Sequence, residues 1–193
     1  MARPREFEPE EALDKAMRQF WAKGYHDTSI RDLVDATGVN YYGLYGVFES
    51  KHGLFLAALD RYRDTVTAEI LAQLKQQGPL TDVITKTYEH LLNIGKTRGG
   101  PIGCLMCNTA VELASEDPAA ASKVHANMAQ LRKGFRAKLT EAQQGGELAV
   151  ERDVGALAEF LTTTVYSLAL LLRSGCDKAY VRRHIRTAVS LLG

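Results

Sequence analysis

TSIRDLVDATGVNYYGLYGVFESK, residues Thr28 to Lys51, decides how this chain folds. It reads as two short helices joined by a tight turn, followed by the start of a third. Ser29 and Asp32 stand at capping-box spacing, with Asp in place of the usual Glu, so a helix begins near Ser29. Leu33, Val34 and Ala36 give that helix an apolar side. Gly38 supplies the left-handed residue that ends a helix, Val39 fills the corner, and Asn40 caps the next helix. Leu44, Val47 and Phe48 recur at helical spacing and face inward. Tyr41, Tyr42, Gly43, Tyr45 and Gly46 are left facing mostly outward. Each glycine costs about 1 kcal/mol relative to Ala inside a helix, and its missing side chain lets the backbone approach a partner closely. A helix showing tyrosines and glycines to solvent is poor packing but a good reading surface. Helix-turn-helix proteins place such a second helix in the major groove. The alternative is a helical corner whose tyrosines half-cover the core, because the same geometry occurs without DNA.

The periodicity outside this stretch is helical throughout. A first helix starts near Pro9 and runs to Ala22, with Leu13, Ala16, Met17, Phe20 and Trp21 as its apolar stripe and Gly24 as its end. Ser50 caps a long helix to about Gln77, stopped by Gly78-Pro79. Further helices are expected from Thr81 to Lys96, over CLMCNTAVELA, from Pro118 to Gln144, from Asp153 to Ser174, and from Asp177 to Leu192. The spacing therefore predicts an all-α protein of about nine helices. FLTTTVYSLALLLRSG is apolar over much of its circumference, so its helix must bury more than one side. A partner subunit is the expected second cover, and a monomer core is the alternative.

Composition sets further bounds. The chain has 193 residues, enough for an ample core, and a formal net charge of +1. Residues 1 to 51 hold seven Lys or Arg against nine Asp or Glu, which taken alone speaks against DNA binding. Many of those acids cluster at residues 6 to 14, where they suit the start of the first helix. Arg3 and Arg5 form an arm able to reach phosphate or a minor groove, with plain disorder as the alternative. No run of eighteen or more apolar residues marks a membrane span, and the N-terminus lacks the apolar centre of a signal peptide. Three cysteines without a secretion signal fit a reducing cytoplasm. No membrane association is expected.

On the residues Phe20, Gly24, Tyr25, Thr28 to Asn40, Leu44, Tyr45, Phe48, Ser50, Lys51, Leu54 and Phe55, the stretch from 9 to 60 resembles the N-terminal domain of the tetracycline-repressor (TetR) family. About fifty residues match with correct internal spacing, which is far more specific than a short motif. The resemblance implies a helix-turn-helix DNA-binding domain at 1–50 and a helical ligand-binding and dimerisation domain at 51–193. It implies a homodimer through the last two helices, a palindromic double-stranded DNA operator, and release by a small-molecule effector. By position, Thr28, Tyr45 and Lys51 match phosphate-contacting residues. Asn40, Tyr41 and Tyr42 occupy the start of the recognition helix, where bases are read, and Arg31 is placed for a base edge or a phosphate. Many members have a basic or polar residue where this chain has Tyr41, Gly43 and Gly46, so base preference stays open.

The body offers two sensing features. Cys104 and Cys107 form C-x-x-C at a helix start, where free N–H groups lower a thiol pKa. No second pair completes a four-ligand zinc site, and neither His90 nor His125 is required nearby by spacing, so no metal or cofactor is expected. Gly103-Cys104-Leu105-Met106 resembles the same segment of electrophile-sensing members related to the N-ethylmaleimide repressor. A structural or pocket-wall cysteine is the alternative. A small-molecule pocket, suited to an apolar or aromatic effector with a small polar handle, is expected from Tyr88, Cys104, Cys107, Asn108, Met128, Phe135, Phe160, Thr163 and Tyr166, each of which also suits ordinary core. Glu112 is read as a solvated or N–H-paired carboxylate. The loop RGGPIG, Arg98 to Gly103, lacks the GK[ST] ending of a P-loop. His26-Asp27 and the cysteines are raw material for catalysis, but no nucleophile, base and orienter form a recognisable set, so the chain is not read as an enzyme. A helical adaptor that binds only protein is the remaining alternative.

Overall fold

The first helix, α1 (Pro9–Lys23), ends where Gly24 turns to φ +89. The computed structural model describes residues 7–97 and 100–193. The arm carrying Arg3 and Arg5, and the Arg98-Gly99 start of the glycine loop, lie outside the described residues. After α1 come α2 (Ile30–Thr37) and α3 (Tyr41–Phe48). The capping box forms in full: the Ser29 hydroxyl accepts the Asp32 N–H, and the Asp32 carboxylate accepts the Ser29 N–H. Gly38 is left-handed at φ +75, and Asn40 Oδ1 accepts the Gly43 N–H at 2.9 Å. Thr37 ties the corner, donating to the Leu33 carbonyl and accepting the Val39 N–H.

Ser50 caps α4 (Lys51–Tyr62), as expected. The rod continues through one π-helical turn, Arg63–Thr67, into α5 (Ala68–Leu74). The wide turn buries Val66 and Thr67 side by side, and the Thr67 hydroxyl donates to Asn127 Oδ1 at 2.8 Å. Such turns insert one extra residue into an α-helix. Next come α6 (Leu80–Ile94), α7 (Leu105–Glu112), α8 (Pro118–Gln144), α9 (Val154–Arg173) and α10 (Lys178–Ser190). Counting α4, the π turn and α5 as one rod, the described residues form nine helical rods, the all-α architecture predicted. Lys96–Thr97 and Gly100–Pro101 make a two-residue antiparallel ladder before α7.

Two hydrophobic clusters fill the interior. One joins Phe20, Trp21, Leu33 and Leu44 of the first three helices to Tyr62, Cys104, Leu105, Leu113 and Val124 of the body. The other packs α5, α6, α8, α9 and α10 around Tyr88, Phe135 and Leu161. The apolar contacts therefore cross residue 50 without a break. Trp21 meets Tyr62 edge-on, with ring centroids 4.9 Å apart.

One sequence expectation needs correcting. Among the described residues α9 is long and apolar enough to cross a membrane by length and composition, with a mean hydropathy of 1.5. Counting unbroken apolar runs missed it, because Thr162 to Thr164 and Ser167 interrupt the run without lowering the mean much. In the fold α9 packs against α8, α6 and α10.

The α3–α4 junction is tight. Glu49 takes φ +68, and a Cβ on Gly53 would lie 2.2 Å from the Phe48 carbonyl oxygen. Gly53→Ala gains about 1 kcal/mol of helix propensity, but overpacking against fixed backbone costs ~1–3 kcal/mol. The clash wins, because the oxygen belongs to the main chain. Urea unfolding of Gly53→Ala is expected to show a lower midpoint than the native chain.

Candidate nucleic-acid interface

α3 is held from beneath and bare on top. Leu44 anchors it in the first cluster, and Phe48 packs at its edge. Tyr42 is 85% exposed and Tyr41 is 45% exposed. Tyr41 stacks in tilted contact on Tyr45 at 4.3 Å between centroids and meets Tyr42 edge-on at 5.5 Å. The three rings form one aromatic strip along the helix. Tyr45 was expected to face outward, yet it is half-buried and packs on the first cluster. Burial raises its hydroxyl pKa, with Tyr41 adding to the rise.

The two glycines of α3 differ. A Cβ on Gly43 would stand 2.8 Å from Val39 Cγ1, so its small size serves the turn. Gly46 is exposed, and an added Cβ would meet nothing within 4 Å. Only Gly46 keeps the backbone open to a partner.

Polar groups flank the strip. The Arg31 side chain is 91% exposed and only loosely paired, 3.8 Å from Asp35. Asn40 spends its side-chain oxygen on the cap and keeps its amide N–H groups for other use. Lys51 opens α4, and its Nζ lies 4.4 Å over the Tyr25 ring, a cation–π contact that fixes its position. Burial lowers its pKa, against the pull of Glu112, Asp27 and Asp32. Thr28 departs from expectation: it is fully buried, and its hydroxyl donates to the Gly24 carbonyl at 2.6 Å. That hydroxyl braces the α1–α2 turn and is withdrawn from the surface.

The acidic count of the head is largely paired. Arg61 of α4 binds Asp14 at 2.7 Å and Glu10 at 3.6 Å, Lys15 binds Glu11, and Lys23 binds Asp32 at 2.6 Å. The Arg61 hydrogen bond holds the Asp14 carboxyl below its usual range. Lys15 and Lys23 already stand in the count of bases, so only Arg61, from beyond residue 51, offsets it, and Arg31 and Lys51 stand in a head that stays slightly acidic.

The head is clasped to the body. Glu112 of α7 accepts the N–H groups of Tyr25 at 3.0 Å and His26 at 2.7 Å. The Trp21 indole N–H donates to the Gly103 carbonyl at 3.1 Å. The N–H-paired reading of Glu112 is the one the fold adopts, though its partners across more than eighty residues were not foreseeable from spacing.

The expected ligand residues fall in several settings. Tyr88 and Phe135 are sealed in the second cluster, and the Tyr88 hydroxyl donates to the Leu161 carbonyl at 3.0 Å. Asn108 donates to the Ile102 carbonyl, and Cys107 Sγ is 4.0 Å from the Tyr166 carbonyl. The Tyr166 hydroxyl accepts from Asn127. Phe160 and Thr163 lie on the exposed side of α9, and Thr163 shares a surface groove of about 440 Å³ with Met128, His125 and Arg132. A helix period places residues on faces but does not say which face meets which neighbour.

Cys104 sits in the buried setting of a structural or pocket-wall cysteine. It is the N-cap of α7, 4% exposed, and its sulfur accepts the Tyr62 hydroxyl at 3.3 Å. Burial raises its pKa, outweighing the hydrogen bond from Tyr62 and those from the Cys107 and Met106 N–H groups. Burial raises Cys107 as well, while Cys176 is exposed. Thiol counting with an aromatic disulfide reagent at neutral pH is expected to find Cys176 fast, Cys107 slow, and Cys104 silent until denaturant is added.

Comparison with known proteins agrees with this geometry. Residues 12–58 match the family described as bacterial regulatory proteins, tetR family, and residues 81–188 match the tetracyclin repressor-like C-terminal domain. The HTH-type transcriptional repressor ComR of Escherichia coli K12 is 34% identical over 176 residues, spanning 91% of this chain and 84% of ComR. A cysteine mutant of the TetR family transcriptional regulator CifR, complexed with 26-bp double-stranded operator DNA, superimposes with a TM-score of 0.88 at 25% identity, covering 99% of this chain and all of that one. The reduced form of E. coli NemR superimposes with a TM-score of 0.80 at 17% identity over 95% of this chain and 94% of NemR, a likeness of fold alone. These relatives are regulators and not enzymes, and the chain belongs to the tetracycline-repressor family of DNA-binding transcriptional regulators.

Proposed function

We propose that the protein is a homodimeric cytoplasmic repressor that holds a palindromic operator and leaves it when a small molecule binds the body. Residues 1–50 are the reading head, and residues 51–193 bind effector and partner. The observation that carries this reading is the bare aromatic strip of α3, capped by Asn40 and flanked by Arg31 and Lys51. Tyr41, Tyr42 and Asn40 read base edges. Arg31, Lys51 and the hydroxyl of Tyr45 hold phosphates, Lys51 at a helix N-terminus that already favours anions. Thr28 acts only through the turn it braces. ComR is named a repressor, and the CifR complex contains operator DNA, which supports the same reading here.

The dimer uses the outer face of the last two helices. Phe160, Leu170, Tyr180 and Leu191 are exposed large apolar side chains, and Leu170 is 57% exposed. His184 and Ser167, 2.9 Å apart, join the two helices along this strip. Such a surface favours an isologous two-fold contact. Two α3 helices then stand about one DNA turn apart, ~34 Å. The buried, Tyr62-bonded Cys104 favours release by a non-covalent effector over attack by an electrophile or oxidant at Cys104 or Cys107.

The test is fluorescence anisotropy on labelled duplexes from the DNA upstream of the gene. Affinity is expected to fall steeply with salt, because released counterions drive phosphate binding. Lys51→Ala should weaken binding on all duplexes alike and reduce the salt slope by about one. No binding to any upstream fragment at low salt would defeat the reading. For the dimer, Leu170→Glu puts a charge in the apolar face. It is expected to sediment as a monomer and lose operator binding while keeping its helical circular dichroism, and a Leu170→Glu dimer would contradict the proposed face.

A further inference from the structure

A cleft of about 500 Å³ opens between the end of α6, the end of α9 and the start of α10. Its size suits a small molecule. Leu92, Leu172, Val181 and Ile185 form its apolar wall, and Lys96, Lys178 and Arg182 stand around it against the single carboxylate of Glu89. Among the described residues, neither Lys178 nor Arg182 has a carboxylate within 4.0 Å. An apolar pit ringed by unspent cations is complementary to one ligand chemistry, an apolar body ending in an anionic head.

The cleft is placed to stay open in the proposed dimer. On α10 the residues Lys178, Val181, Arg182 and Ile185 follow i, i+3, i+4, i+7 and share one side. Tyr180, His184, Thr187 and Leu191 occupy the opposite side, which is the proposed subunit face. A partner docked on the second strip leaves the first uncovered.

The cleft also touches the joint with the head. A Cβ on Gly95 would lie 2.8 Å from Leu172 Cδ2 and 2.9 Å from the Gly103 carbonyl oxygen, so cleft wall and joint are in direct contact there. That oxygen is the one that accepts the Trp21 N–H of α1. Arg173, next to Leu172, donates to the Ile102 carbonyl at 3.2 Å. A ligand that displaced Leu172 would press on Gly95 and residues 102–103, next to Trp21.

We infer that this α6–α9–α10 cleft, and not the sealed interior around Tyr88 and Phe135, is an effector site for a small amphiphilic anion such as a carboxylate or sulfonate with an apolar tail. The inference rests on the effector-released repressor reading for its purpose, but binding itself is measured without DNA. A ligand acts on the head only through unequal affinity for two head positions, and Trp21 sits where those positions differ. Because Trp21 is the only tryptophan in the chain, its emission reports the joint directly.

The experiment titrates the full-length protein, free of DNA, with 8-anilinonaphthalene-1-sulfonate, then displaces the dye with decanoate. Trp21 emission is followed in a separate decanoate titration. Saturable dye binding, displacement by decanoate, and a shift of Trp21 emission over the same decanoate range are expected. The double variant Lys178→Glu/Arg182→Glu, both surface changes, should lose at least tenfold in affinity for both anions. Lys133→Glu/Arg136→Glu, which alters the separate cationic groove between α8 and α9, should bind as the native chain does. Decylamine, of equal length and opposite charge, should fail to displace the dye from the native protein, a comparison that needs no variant to fold. Absence of dye or decanoate binding, equal displacement by decylamine, or undiminished affinity in the Lys178/Arg182 variant would overturn the site. Saturation with decanoate while Trp21 emission stands still would overturn the coupling. A protein that binds decanoate as expected yet retards no DNA would instead defeat the repressor reading.

Discussion

The carboxylate of Glu112 is the constraint on which the rest of this molecule depends. It accepts two successive backbone N–H groups, those of Tyr25 and His26, at the turn between α1 and α2. Hydrogen bonds to a charged group contribute roughly 1.5–3 kcal/mol, and here they also satisfy amides that follow a helix end. The turn is shaped to admit the carboxylate: Gly24 takes φ +89, and a Cβ there would stand 2.7 Å from Glu112 Oε2. The Trp21–Gly103 hydrogen bond ties the same helix end a second time. Together with the apolar cluster that runs from Phe20 to Leu113, these ties make head orientation a property of the body. A regulator needs such a link, since a head on a loose tether would sense nothing.

The helix proposed to read DNA is short and poorly suited to stand alone. α3 has eight residues, two of them glycine, and one fully buried anchor, Leu44. Its helicity comes from the Asn40 cap, the Gly38 turn and the Tyr41–Tyr45 contact more than from propensity. That economy leaves Tyr42 and the Gly46 backbone free of internal duty. The nearby charges follow the same logic. Asp14, Glu10 and Asp32 are occupied by Arg61 and Lys23, whereas Arg31 remains open to solvent.

Local chemistry was legible in the sequence, and partners were not. The capping box at Ser29, the Gly38 turn, the Asn40 and Ser50 caps, and the limits of α8 all rest on interactions within a few residues, which spacing reveals. Nine helical rods follow from the same periodicities. The π turn at Arg63–Thr67 was invisible, since it depends on Thr67 reaching Asn127 sixty residues away. Thr28 matched a phosphate-contacting position, yet its hydroxyl turns inward because Gly24 presents a carbonyl there. Cys104 illustrates competing terms: the helix start does pull its pKa down, but burial beneath Tyr62 outweighs it, and burial is not written in C-x-x-C. Which of the expected pocket residues share a face was illegible for a related reason. Thr163 and Phe160 belong to the outer stripe of α9, and only packing shows which stripe is outer.

In the proposed repressor, clasped heads carried by a two-fold dimer stand one duplex turn apart. The most direct measurement is a pulsed dipolar distance between nitroxides at Glu49→Cys, at the C-terminal end of α3 and outside the proposed DNA contacts, in the two subunits, on a Cys107→Ser/Cys176→Ser background. With a palindromic duplex bound, a single narrow distribution centred on about one helical turn, ~34 Å, is predicted. Absence of any intersubunit dipolar signal, or a broad distribution that DNA does not narrow, would contradict it.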